Sequence, residues 1–176
     1  MNPETLAEKV KDARFVCACC GACCSGPDNE VIVAPQEIER IMHATGESFD
    51  EIAEPYPEWF EEQGERFTFS WILRRGADGN CRFLRDGRCT VYADRPDICR
   101  TYPFMLDRGE LLISECPALG KTETENPFQI AEDLIAREQH DDAEIAAARR
   151  EYQKHSMVAG ATVVIDSRGV HPRTIE

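Results

Sequence analysis

Long apolar runs are missing from this chain. Its greasiest stretches, "VIVA" (31–34) and "ATVVI" (161–165), are strand-sized and fall far short of the roughly 18 apolar residues of a spanning helix. The opening "MNPETLAEKVKDARF" lacks the apolar core that a secretory signal needs. The expected location is therefore a reducing cytoplasm, where disulfides are rare. Positive charge is scarce too: 20 Lys and Arg stand against 33 Asp and Glu, giving a net −13. Such a surface repels phosphate backbones and anionic lipid, which excludes nucleic acid and membrane as general partners. No P-loop, GxGxxG or Cys–His nucleophile pattern occurs. Three of the four histidines (His140, His155 and His171) fall in the tail, where they read as structural or exposed.

Cysteine is what the chain has in excess. The stretch "CACCGACC" (17–24) places Cys17, Cys19, Cys20, Cys23 and Cys24 within eight positions, and nine cysteines occur in all. An odd count excludes complete pairing within the chain. In a reducing compartment, clustered thiols hold metal more often than they form crosslinks.

The rest of the pattern is α+β. A helix is expected over 3–14, with Leu6, Val10 and Ala13 on one face, and a short strand over 30–34. A second helix follows over 35–46, with Ile38, Ile41 and Met42 inward. Ser48 with Glu51 forms a capping box. "EPYPEWFEEQGE" reads as irregular. "RFTFSWILR" (66–74) has strand composition, with Phe67, Phe69, Trp71 and Leu73 on one side. Hairpins are expected around Asp86-Gly87 and around Asp107-Arg108-Gly109. After Cys116 the sequence predicts a helix of about 25 residues starting at Asn126-Pro127, with a break at 140–142 as an option, and then a strand over 161–166. The predicted fold is a small metal-stabilised α+β domain with β-hairpins, a cysteine-rich loop and flanking helices. A metal-binding domain would span 1–120, with 121–176 an extension packing on it.

Cys17, Cys20 and Cys23 form C-x2-C-x2-C, a spacing that lets thiolates curl around one centre while free backbone N–H groups bond the sulfurs. Side chains of adjacent residues diverge, so Cys23 and Cys24 are expected to serve two neighbouring centres or one bridging position. Cys81, Cys89, Cys99 and Cys116 follow. With Cys17, Cys20, Cys23 and Cys24 they make eight, enough for two four-thiolate sites, and Cys19 is left over. From Arg74 to Arg108 there are eight arginines, five aspartates and no lysine, a local positive excess suited to offsetting thiolate charge.

"FVCACCGACC", "GNCRFL", "GRCTVYADRPDICRTYPF" and "CPALG" appear in that order. Over about 15–120 the chain resembles the CxxCxxCC cysteine-cluster proteins, a zinc- or iron-chelating domain family. The resemblance implies Cys17, Cys20, Cys23, Cys24, Cys81, Cys89, Cys99 and Cys116 as metal ligands. Arg95, Pro96, Arg100, Tyr102, Pro103 and Phe104 match its accompanying signature, which makes Arg95 and Arg100 the cofactor-side candidates. Cys19 departs from the pattern.

Zinc favours closed four-thiolate sites. Iron–sulfur clusters use C-x2-C-x2-C with a remote Cys-Pro such as Cys116-Pro117. All-sulfur ligation disfavours magnesium and calcium, whereas copper(I) stays open. The cofactor expected is thus an iron–sulfur cluster or zinc, in one or two centres. The module would serve redox chemistry or metal handling with a protein partner. The alternatives are a zinc-stabilised structural domain and a metal-dependent enzyme with His43, Glu30 and Asp97 as acid/base candidates. The aromatics Phe67, Phe69, Trp71, Phe83, Tyr92, Tyr102 and Phe104 are expected to wall the metal region.

Overall fold

The computed structural model describes residues 2–26 and 29–174. Helices alternate with several small sheets and hairpins, an α+β architecture. The chain divides into two compact units, each made from two separated stretches. One joins 1–29 to 75–140, and the other joins 30–74 to 141–176. The boundaries between the units thus fall at 29, 74 and 140.

In the first unit, the helix Pro3–Asp12 starts where the Asn2 side chain accepts the Glu4 N–H at 2.8 Å and Pro3 takes the first turn. Its buried face, Leu6, Ala7 and Val10, packs with Phe15, Phe104, Ala118 and the early residues Ala131 and Leu134 of the helix Pro127–Lys154. Phe15 meets Phe104 edge-on at 5.5 Å. Both expected hairpins form: Leu84–Arg85 with Arg88–Cys89, and Phe104–Asp107 with Glu110–Ile113. Their two-residue turns, Asp86-Gly87 and Arg108-Gly109, hold positive φ at both positions. That is the geometry whose twist matches the flanking strands.

In the second unit, the 66–74 stretch is two strands rather than one. Ser70 adopts a φ of 72°, which ends Glu65–Phe69 before Trp71–Leu73 begins. The latter is the middle strand of a three-stranded sheet, between Ile32–Val33 and Ala53–Pro55. Glu65–Phe69 lies within a four-stranded sheet, between Thr162–Asp166 (parallel) and Phe60–Glu62 (antiparallel), with Gly169–Pro172 at the far edge. The stretch read as irregular therefore carries a strand and one side of a hairpin. Phe67, Val163 and Ile165 form its core, with Phe69 and Tyr152 packed against them. Phe67, Phe69 and Trp71 thus have structural work in the second unit, where Trp71 packs on Phe49 and Phe67 on Tyr152. The wall of the cysteine region comes from other rings. The helix Pro35–Thr45 also belongs to this unit. The helix Pro127–Lys154 runs through 140–142 without a break.

Candidate metal centre

The cysteine-rich loop lies wholly in the first unit, and its backbone is shaped for close approach. Gly21 sits at a φ of 72° and leads into the single 3-10 turn Ala22–Cys24. A Cβ at this position would come within 2.9 Å of the Gly87 carbonyl oxygen and of Leu84 Cδ1, so the loop rests directly on the first hairpin. The Cys81 N–H donates to the Cys24 carbonyl at 2.8 Å. The Gly26 N–H donates to Asn80 Oδ1 at 3.1 Å. Arg75 bridges the carbonyls of Gly26 and Gly79.

Seven of the nine cysteines line one cleft of about 60 Å³: Cys17, Cys19, Cys20, Cys23, Cys24, Cys89 and Cys116. Phe15, Tyr92 and Tyr102 complete its aromatic wall. Sites for organic ligands begin at roughly 300 Å³, so this cleft matches an inorganic centre in scale. Cys81 joins the group through Cys24. Cys99 sits half-buried on the one-turn helix Asp97–Thr101, away from the cleft lining. Cys19, left over on sequence grounds, is a lining residue and holds a positive φ of 49°.

The sulfurs of Cys23 and Cys24 stand 3.9 Å apart. With Zn–S bonds of about 2.3 Å, the edge of a tetrahedral four-sulfur site is about 3.8 Å. The 3-10 turn therefore undoes the divergence expected of adjacent side chains, and both thiols can serve one ion.

The Cys24 thiol lies far above its usual range, chiefly because its proton is shared with the sulfurs of Cys23 and Cys81. Cys23, receiving that hydrogen bond, is lowered to about 7 against the opposing effect of burial. Cys81 is lowered to about 6, first by the Cys24 thiol and further by the Phe83 N–H and the charges of Arg75 and Arg82. Burial raises Cys89, with the Val91 N–H and Arg95 opposing. Burial also raises Cys17, and the Cys19 N–H and Tyr92 hydroxyl oppose it. A rule links three of these. The sulfurs of Cys17, Cys81 and Cys89 each take an N–H from the residue two positions on, a contact that stabilises thiolate and metal-bound sulfur alike. Tyr92 is pushed up to about 12, mainly by burial. Burial raises Tyr102 as well, with the charges of Cys116, Cys23 and Cys20 adding to it.

Among the described residues, no group of three or more His, Cys, Asp or Glu side chains stands placed to hold a metal ion. The thiols stand as hydrogen-bonded neighbours. In donor chemistry they fit a soft metal: sulfur ligands, backbone N–H groups aimed at them, and guanidinium charge nearby.

Of the two arginines singled out in the sequence, Arg95 stacks over the Tyr92 ring at 3.7 Å, donates to the Tyr92 carbonyl at 2.6 Å, and helps lower Cys23. Arg100 donates to the Ala93 carbonyl at 2.9 Å. Arg75 and Arg82, which also act on a cysteine, carried no distinguishing signal beyond membership of the arginine-rich window. Glu30 and His43 belong to the second unit, and Asp97 pairs with His140 at 3.4 Å. His155 and His171 bond buried carboxylates.

A family model named CxxCxxCC and described as "Putative zinc- or iron-chelating domain" matches residues 16–131. No solved structure matches the chain. Among the described residues, no helix is long and apolar enough to cross a membrane.

Proposed function

The chain belongs to the CxxCxxCC family of zinc- or iron-chelating domains, and from that premise we propose that it is a redox or metal-handling module. It holds zinc or iron, as an iron–sulfur cluster or as single ions, on the cysteines of its first unit. It works with a protein partner in a reducing compartment such as the cytoplasm. One observation carries this reading: seven thiols from separated stretches of chain line a cleft too small for an organic cofactor. Soft sulfur donors select zinc, iron or copper(I) over magnesium and calcium.

A second reading, a zinc centre that stabilises the fold, is favoured by the 3.9 Å separation of Cys23 and Cys24. Sulfurs so close suit one tetrahedral ion, whereas the four thiolates of a [4Fe–4S] cluster each bind a different iron.

Elemental analysis and visible absorption of anaerobically purified protein test both readings. Brown protein with thiolate-to-iron charge transfer and a reversible potential supports the redox module. Colourless protein with stoichiometric zinc selects the structural centre. Protein free of every transition metal, and unable to take one up, overturns chelation.

A further inference from the structure

The cysteine-rich loop has two halves, and the structure ties them to different parts of the first unit. We propose that Cys23, Cys24, Cys81 and Cys89 are the four ligands of one thiolate centre, with Cys19 and Cys99 outside it. The inference rests on the chelation reading above and adds the grouping of ligands, which neither cysteine spacing nor family membership fixes.

The later half of the loop, from Gly21 to Gly26, is stitched to the first hairpin and its approach. Gly21 abuts Gly87 and Leu84, the Cys24 carbonyl takes the Cys81 N–H, and Gly26 bonds Asn80. Cys23 and Cys24 are thereby delivered to the base of that hairpin. Cys81 and Cys89 flank the same base: the Leu84 N–H returns to the Cys81 carbonyl at 2.9 Å, and Leu84 is the strand partner of Cys89. Cys89 lines the cleft beside Cys23 and Cys24. The 3.9 Å edge between those two sulfurs matches two corners of a tetrahedron, and Cys81 and Cys89 at the hairpin base would supply the other two.

The earlier half is held elsewhere. The Phe15 N–H bonds Thr124 Oγ1 at 3.0 Å, and the Ala13 carbonyl accepts the Gly120 N–H at 3.1 Å. Within that half Cys17 faces Tyr92 and Cys19, and Cys20 stands near Tyr102 with Cys116. Cys99 stands on a separate element, the helical turn Asp97–Thr101. Each thiol that binds gives its proton to water, so loading the centre releases protons and involves no change of oxidation state.

The test uses the full wild-type chain, kept reduced and stripped of metal, with Zn²⁺ alone as the probe. Each cysteine's alkylation rate is read by peptide mass spectrometry along a zinc titration. The expected result is that Cys23, Cys24, Cys81 and Cys89 slow together on one curve, each by about tenfold or more, while Cys19 and Cys99 do not follow it. The grouping is overturned if any of the four keeps its free rate while the others are protected, or if Cys19 or Cys99 shares their curve. Absence of zinc uptake and of protection at every cysteine would instead overturn the chelation reading, and the grouping with it. A Cys19→Ser, Cys99→Ser variant titrated with Co²⁺ gives a second arm. Retention of the tetrahedral-thiolate absorption at the first equivalent supports the assignment, and its loss sinks it.

Discussion

His155 Nε2 lies 2.6 Å from Oε1 of Glu65, a carboxylate with no solvent exposure. The second oxygen of Glu65 accepts the Val158 N–H, also at 2.6 Å. Glu65 opens a strand of the four-stranded sheet, so the two bonds tie that sheet to the segment after the long helix. Glu65→Ala would strand a ring nitrogen and a backbone N–H. We expect a loss of about 2–4 kcal/mol, read as a lower urea midpoint at unchanged m. A shift within about 0.5 kcal/mol, the range of ordinary surface changes, would show that the pair contributes nothing.

Asp166 concentrates the same chemistry in the second unit. Its carboxylate accepts Trp71 Nε1 and the Arg168 N–H, both at 2.8 Å, and meets His171 Nε2 at 2.9 Å. Asp166→Ala leaves the buried indole N–H without its acceptor and should destabilise by about 1–3 kcal/mol. Asp166→Asn keeps one oxygen and should lose less. Equal losses in the two variants would mean that packing, not hydrogen bonding, sets the effect.

At Gly21 the backbone itself is the requirement. A methyl group there meets the Gly87 carbonyl and Leu84 at 2.9 Å, on a residue at positive φ. Gly21→Ala should destabilise by about 1–3 kcal/mol and displace the loop from the hairpin, weakening zinc protection of Cys23 and Cys24. Thermal melts and the alkylation assay check the two effects separately. Wild-type behaviour in both would place the loop away from the hairpin.

Much of this architecture could be read from local chemistry. Asn2-Pro3, Ser48 with Glu51, Asp86-Gly87 and Arg108-Gly109 each satisfy a short-range rule, and the corresponding elements form. What escaped were features decided by tertiary partners. Ser70 carries no breaker signal, yet it turns one apolar run into strands of two different sheets. The hairpin at Gln63-Gly64 was hidden because Phe60–Glu62 is acidic and exposed. At the metal region, sequence gave the thiols but not their grouping. The closeness of Cys23 and Cys24 depends on a 3-10 turn set up by Gly21, and spacing alone argues the opposite. The N–H contacts to sulfur were latent in Cys17-x-Cys19, Cys81-x-Phe83 and Cys89-x-Val91, visible only once the loops had curled.

Arg95 and Arg100 separate by function. Arg95 stacks on Tyr92 and acts on Cys23 and Cys89, whereas Arg100 bonds the Ala93 carbonyl. Arg95→Gln should weaken zinc affinity by about tenfold, the lower range for a residue that supports ligands without binding metal. Arg100→Gln should change affinity much less. Competition against a chromophoric zinc chelator gives both numbers, and equal effects would deny Arg95 a special relation to the thiols.

Metal removal makes the broadest prediction. A centre joining Cys23 and Cys24 to Cys81 and Cys89 closes long loops of chain, and the unfolded chain offers no preformed site, so binding energy becomes folding energy. With free zinc at a hundred times Kd, linkage adds about 2.7 kcal/mol, and that corresponds to about 5–10 °C in Tm for a chain of this length. Chelation should lower the midpoint by this amount, and added zinc should restore it. The difference should shrink as pH falls, because protons compete with the metal for sulfur. A midpoint that stays put after elemental analysis has confirmed removal would mean that the thiols are held in place by the fold alone.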